Sequence, residues 1–268
     1  MTQSTWDPAQ YERFRDERSR PFFDLLALAR PRPAMRVVDL GCGTGELTRR
    51  MHRDLAARET LGIDNAETML AQSGAFAGDG LSFAREDIAT FAADPANHAA
   101  FDLVFANAAL QWVPDHETLL ARLTGLLAAG GQLAAQVPAN YDHPSHLVAA
   151  EVVEEAPFRD ALVGGGPGFG RDRPVLTPEG YASLLDQLGY REQHVRLQVY
   201  GHRMRSWEDV VEWTKGTLLT DYRRRLPPEL YDRFLDRYRE ELGRRLGRQS
   251  PYFYPFKRIL FWGQRIAI

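Results

Sequence analysis

The sequence predicts an α/β fold: a doubly wound, mostly parallel sheet of seven strands, with a helical cap inserted before the last strand. Three observations predict it. Short apolar runs of strand length alternate with helical patterns between residues 35 and 137. A glycine-rich turn, Gly41-Cys42-Gly43-Thr44-Gly45, joins the first such run to the next helix. About 55 residues of mostly helical pattern separate the last two strands, where a hairpin loop usually has roughly 2–5.

The elements follow in order. Residues 6–30 read as helical, with Asp7 as cap and Pro8 at the first helical position. Tyr11, Phe14, Phe22, Leu25 and Leu26 supply its apolar side, and Pro21 is expected to split it in two. Residues 35–40 (MRVVDL) read as a buried strand, and 46–57 as the helix after it. Residues 61–63 form a second strand and 66–71 open a second helix. Residues 81–84, 101–105 and 132–137 are strands three to five, with a helix over 118–128. Apolar strands alternating with helices belong to parallel sheets covered on both faces.

The pattern changes after Pro138. Residues 145–155 read as a helix, GGGPGFG at 164–170 as a flexible stretch, and 177–188 as a helix capped by Thr177 and stopped by Gly189. Residues 194–200 alternate, with His194, Arg196 and Gln198 set against Val195, Leu197 and Val199, which reads as a half-buried strand. Residues 258–266 are the last strand. The resulting division is an N-terminal helical lid at 1–30, a core at 31–200, a cap at 201–256 and a closing core strand at 257–268. An insertion as long as the cap reads as functional.

Composition limits the partners. The chain has 268 residues, 44% hydrophobic and 26% charged, which excludes disordered and fibrous classes. The single Cys42 excludes a disulfide scaffold. A net charge of −3 argues against a general nucleic-acid field. No apolar run approaches the ~18–20 residues of a membrane span. The first residues, MTQSTWDPAQYERFRDER, lack the apolar core of a signal peptide. The expectation is a cytoplasmic protein acting on a small molecule, with no nucleic acid or membrane partner, no metal, and an oligomeric state that the sequence does not give.

The glycine turn admits three cofactor readings. A phosphate-binding P-loop needs Lys and Ser/Thr after its last glycine, where this chain has Glu46 and Leu47. A dinucleotide fingerprint needs Gly or Ala at position 46, and Glu46 there would repel a pyrophosphate. A cofactor without phosphate fits better, and S-adenosylmethionine is one, with a sulfonium and an ammonium to balance acidic side chains. Asp64 closes an apolar strand with an acid. Asp39 has a competing role in tying down the turn, and Cys42 one as a small packing residue.

These residues resemble those of the class I S-adenosylmethionine-dependent methyltransferases. VVDLGCGTG at 37–45 matches the first motif, LGID at 61–64 the second strand's end, ETML at 67–70 the following helix, EDI at 86–88 the third turn, and FDLVFAN at 101–107 the fourth strand. The resemblance implies a Rossmann-like fold that binds S-adenosyl-L-methionine. It implies cofactor contacts from Asp39, Gly41, Cys42, Gly43, Gly45, Asp64, Asn65, Met69, Asp87, Ile88 and Asn107. Methyl transfer from a sulfonium is a direct displacement, so the Cys42 thiol is not needed as a nucleophile.

On the acceptor side, NAALQWVPDH at 107–116 lies where an α/β sheet opens its ligand crevice, so Asn107, Gln111 and Trp112 are candidates to line it. Core packing competes for Trp112, and His116 is expected to cap or face solvent. This segment, with WDP at 6–8, VPAN at 137–140, PSH at 144–146, Tyr200 and His202, VEWTKGT at 211–217 and PFKR at 255–258, is similar to the bacterial trans-aconitate methyltransferases. The 164–170 stretch and Tyr252-Phe253-Tyr254 depart from that pattern. The resemblance implies a small polycarboxylate acceptor positioned by Tyr11, Gln111, Trp112, Ser145, His146, Tyr200, His202, Trp213, Lys215 and Arg258, with no general base. Trp213 has a competing role in the cap core. Arg223 to Arg225, and Arg244, Arg245 and Arg248, are expected to face solvent. Alternatives are a malonyl-thioester carboxyl methyltransferase, a natural-product methyltransferase, or a cofactor-binding module without catalysis.

Overall fold

In the computed structural model, residues 15–162 and 175–266 are described. Tyr11 and the glycine stretch at 164–170 lie outside them. The chain runs α1 (Arg15–Leu26), β1 (Arg36–Leu40), α2 (Glu46–Asp54), β2 (Glu59–Asp64), α3 (Glu67–Leu70), β3 (Leu81–Arg85), α4 (Ile88–Ala93), β4 (Phe101–Asn107), α5 (His116–Gly125) and β5 (Leu127–Pro138). It continues with α6 (Pro144–Val152), α7 (Phe158–Leu162), α8 (Pro178–Gln187), β6 (Tyr190–Met204), α9 (Glu208–Lys215), α10 (Leu219–Arg225), α11 (Pro228–Leu246) and β7 (Tyr252–Arg265).

The seven strands form one sheet in the order β3-β2-β1-β4-β5-β7-β6. The pairs β1–β2, β1–β4, β2–β3 and β4–β5 are parallel, and β5–β7 is antiparallel. Val37, Val38 and Leu40 of β1 and Leu103, Val104 and Phe105 of β4 are each no more than 1% exposed. Burial on both faces is why these strands read as unbroken apolar runs. The order reverses at β1 and β4, and in open α/β sheets ligands bind at the carboxyl ends of the strands flanking such a switch point.

The chain divides into two compact units. The first holds the described residues 16–138, 175–198 and 258–266. The second holds Arg15, 139–162 and 199–257. Residues 139–162 therefore group with the cap rather than with the sheet. The reason is packing: Val148, Ala149, Val152 and Phe158 join Trp213, Leu219, Phe234, Tyr238 and Leu242 in one apolar core.

The structure departs from the sequence pattern at several positions. Pro21 does not split α1, which runs through it with Phe22 and Leu25 buried. A proline inside a helix costs ~3 kcal/mol, and burial of these two side chains offsets it. In β6, Leu197 and Val199 are 49% and 51% exposed, whereas Tyr200 and His202 are buried. The polar parity therefore faces inward. Arg225 is not solvated: its side chain is 14% exposed and pairs with buried Asp221, as Arg224 does. Arg245 reaches across to Glu151 of α6.

Candidate active site

The first unit places the glycine turn at the switch point. Gly41, Gly43 and Gly45 have φ of 75°, 58° and 82°, values that suit glycine. A Cβ on Gly41 would stand 2.4 Å from the Ala109 Cβ, so the turns after β1 and β4 touch only because residue 41 has no side chain. Gly41 and Cys42 donate their N–H groups to the Ile63 carbonyl, which pins the turn to the end of β2.

Asp64 fixes the same turn from its carboxyl end. Its Oδ2 accepts from Gly43 N at 2.9 Å and its Oδ1 from Ala66 N at 2.8 Å. Burial raises its pKa, and the two N–H donors oppose that rise. Asp39 is 2% exposed and accepts from the Thr48 hydroxyl at 2.6 Å. Burial pushes its pKa up to about 7, with Thr48 opposing and Asp64 adding. Asp39 thus braces the turn against α2 through Thr48, rather than through backbone N–H groups. Burial and the two acids push the Cys42 thiol well above its usual range, so it packs as a neutral group.

The remaining cofactor candidates surround these. Met69 is buried, and its Cε lies 3.3 Å from where a Cβ of Gly43 would be. Asn65 and Asp87 are exposed and Ile88 is half-buried. The Asp87 Oδ1 caps α4, accepting from Ala89 N and Thr90 N. The residues present suit a cationic cofactor. Two acids flank a cradle of glycine backbone, and neither forms an ion pair among the described residues.

The turn after β4 carries the next group. Gln111 is 5% exposed and donates Nε2 to the Ala108 carbonyl, while its buried Oε1 has no hydrogen-bond partner among the described residues. An unsatisfied buried acceptor costs about 1–3 kcal/mol, and a ligand N–H or O–H would satisfy it. Trp112 is 40% exposed, so it is not a core residue. His116 neither caps nor faces solvent. Asp115 is the cap, and buried His116 bridges Leu110 O at 2.9 Å and Tyr181 OH at 2.6 Å. A carbonyl only accepts, so Nε2 carries the proton and Nδ1 accepts from Tyr181. Burial lowers the His116 pKa, which keeps this neutral form.

Arg258 is 6% exposed and its Nη1 donates to Gln136 Oε1 at 2.9 Å. Gln136 Nε2 in turn donates to Asn107 Oδ1 at 2.8 Å. This chain crosses β7, β5 and β4 and links the candidate acceptor cation to the residue that ends β4. Gln136, fully buried, was not foreseen. The signal was a glutamine inside the apolar run LAAQVP.

The second unit holds the other candidates. Ser145 Oγ lies 2.9 Å from His143 Nδ1, 3.1 Å from His146 Nδ1 and 3.3 Å from Tyr254 OH. Burial lowers the His143 pKa to about 4 and that of His146 to about 3, so both rings are neutral at pH 7. Tyr200 and His202 are buried, and His202 lies 5.0 Å from the Trp213 ring. Trp213 is 1% exposed and belongs to the unit's core. Lys215 is half-buried and pairs with Glu212 at 2.7 Å.

Comparison with known proteins decides the family. Residues 38–135 match a family described as a methyltransferase domain. The chain is 44% identical over 264 residues to a trans-aconitate 2-methyltransferase of Deinococcus radiodurans, covering 97% of this chain and 98% of that one. The chain belongs to the trans-aconitate 2-methyltransferase family. A second member, from Variovorax paradoxus, is 39% identical over 256 residues, covering 95% and 94%. Among solved structures, the YcgJ protein of Bacillus subtilis aligns with a TM-score of 0.61 at 12% identity, over 92% of this chain and 99% of that one. That likeness shows the fold. The methyltransferase domain match begins in β1 and ends in β5, so it spans the glycine turn, Asp64 and the β4 turn.

Proposed function

We propose that this chain transfers a methyl group from S-adenosyl-L-methionine to a carboxylate oxygen of trans-aconitate, forming a methyl ester. The observation that carries the reading is the glycine turn fastened to the Asp64 carboxylate by Gly43 N–H at the switch point. Its two acids, without cationic partners among the described residues, suit a positively charged donor. The names of the curated relatives supply the acceptor.

When bound, the cofactor supplies an electrophilic methyl group. Asp64 is assigned to the ribose hydroxyls, Met69 and Ile88 to the adenine faces, and the backbone of Gly41 to Gly45 to close contact. A carboxylate acceptor with a pKa near ~4 is already ionised at neutral pH, so the chain need not remove a proton from it. Its task is to hold one oxygen in line and keep water out. Arg258, oriented by Gln136, offers a buried guanidinium suited to a carboxylate.

The test is methyl transfer from labelled cofactor to trans-aconitate, cis-aconitate, isocitrate and a malonyl thioester. Transfer to trans-aconitate above the others is expected. Transfer only to the thioester, or to none, overturns the acceptor assignment. The same reading places the enzyme in the cytoplasm; no described helix is long and apolar enough to cross a membrane.

A further inference from the structure

The inward face of β6 carries a charge for which the reaction so far has no use. Arg196 is half-buried, and its Nε is buried without a hydrogen-bond partner. No carboxylate pairs with it among the described residues. A guanidinium in that position is costly unless something anionic meets it.

Its neighbourhood can be read from the strand contacts. β6 and β7 are adjacent in the sheet. A Cβ on Gly201 would meet the Phe253 ring, and one on Gly263 would meet Tyr190, so the two strands run in opposite directions. Counting along both strands from these contacts brings Arg196 within one residue of Arg258. Faces agree as well. Leu197, Val199 and Phe253 are exposed, so Arg196 and Arg258 both occupy the opposite parity, and Arg258 is 6% exposed. Two guanidinium groups therefore share one inward face of neighbouring strands within the first unit. Like charges side by side on a sheet destabilise it, unless a ligand with more than one negative charge joins them.

We propose that Arg196 is a specificity-determining residue that grips a second carboxylate of the acceptor while Arg258 grips another. The inference rests on the polycarboxylate reading above. It goes beyond it in assigning the preference for several carboxylates to a pair of arginines on β6 and β7. With one carboxylate taking the methyl group, a dicarboxylate would leave one guanidinium of the pair unmet.

The experiment compares wild type, Arg196→Leu and Arg196→Lys. Arg196→Gln serves as a second neutral variant should the leucine fail to fold. Three quantities are read for each: KM for trans-aconitate, KM for a five-carbon dicarboxylate analogue, and calorimetric Kd for S-adenosylhomocysteine and for trans-aconitate. The neutral variants are expected to weaken trans-aconitate about ten- to a hundredfold, to lose most of the preference over the dicarboxylate, and to leave the S-adenosylhomocysteine Kd within about twofold. The lysine variant should recover part of the loss. Wild-type turnover of trans-aconitate with unchanged KM and preference in the neutral variants overturns the role of Arg196 alone. Failure of wild type to turn over any polycarboxylate overturns the acceptor reading. Trans-aconitate binding by calorimetry then still decides Arg196: loss of binding in the neutral variants supports it, and absence of binding in wild type overturns it.

Discussion

Replacing Asp39 with Asn isolates the energetic cost of a buried acid. Asp39 is 2% exposed, and its pKa moves from 3.8 to about 7, chiefly through burial. At about 1.4 kcal/mol per pH unit, that shift corresponds to about 4 kcal/mol. The sign follows from linkage. The folded protein holds this proton more tightly than the unfolded chain, so the group's contribution is complete below pH ~4. It is lost as pH rises towards ~7, and is flat above that. An asparagine keeps the shape and can still accept from the Thr48 hydroxyl, but it does not titrate. Urea unfolding of both proteins without cofactor, in half-unit steps from pH 4.5 to 7.5, should therefore show Asp39→Asn gaining on wild type by about 3–4 kcal/mol across the range. Difference curves that stay level across it would refute the reasoning, because they would mean that Asp39 ionises freely in the folded state.

Four further outcomes are expected. Gly41→Ala should cost about 2–4 kcal/mol in urea unfolding, from left-handed strain and overpacking against Ala109. Gly43→Ala meets only the flexible end of Met69 at 3.3 Å and should cost clearly less; equal losses would discount the close approach. Asp64→Ala should weaken S-adenosylhomocysteine binding at least about tenfold by calorimetry, since a charge-accepted pair of hydrogen bonds is lost; unchanged binding removes the ribose role. His116→Leu should cost about 1–3 kcal/mol by leaving Tyr181 OH and Leu110 O without their buried partner, measured as a fall in Tm. Gln136→Leu should raise the acceptor KM with little change in the cofactor Kd, and an unaltered KM would show that Arg258 is oriented without it.

The residues that were legible share one property: their role is written in local pattern. Val37-Val38 and Phe101 to Phe105 are apolar runs because both faces are covered, and Gly41 is glycine because the Ala109 methyl packs directly against its Cα. Asp64 ends its strand in an acid, and the structure finds it holding the turn. What was illegible depended on distant partners. His116 reads as a polar helix start, yet Tyr181 of α8 makes it a buried bridge. Arg225 reads as part of a solvated run, yet Asp221 one turn earlier buries with it. The phase of β6 misleads because alternation gives two faces without saying which is inside. Here the inside is lined by Tyr200 and His202, and the apolar residues are left exposed. Gln136 stood in plain view in a buried strand, and its meaning came only with Arg258, delivered by a strand 122 positions away.

That separation sets the order of assembly on the ribosome. β7 is made after every other strand of the sheet, yet it lies between β5 and β6. Until it arrives, β5 is an open edge with an apolar face, the kind of surface on which unfinished chains associate. A nascent protein halted within α9 to α11 therefore holds the complete cofactor turn and no closed sheet. The segment that carries Arg258 is the same one that seals β5, so a newly made chain gains the cation proposed to meet the acceptor only as it loses its capacity to aggregate along that edge.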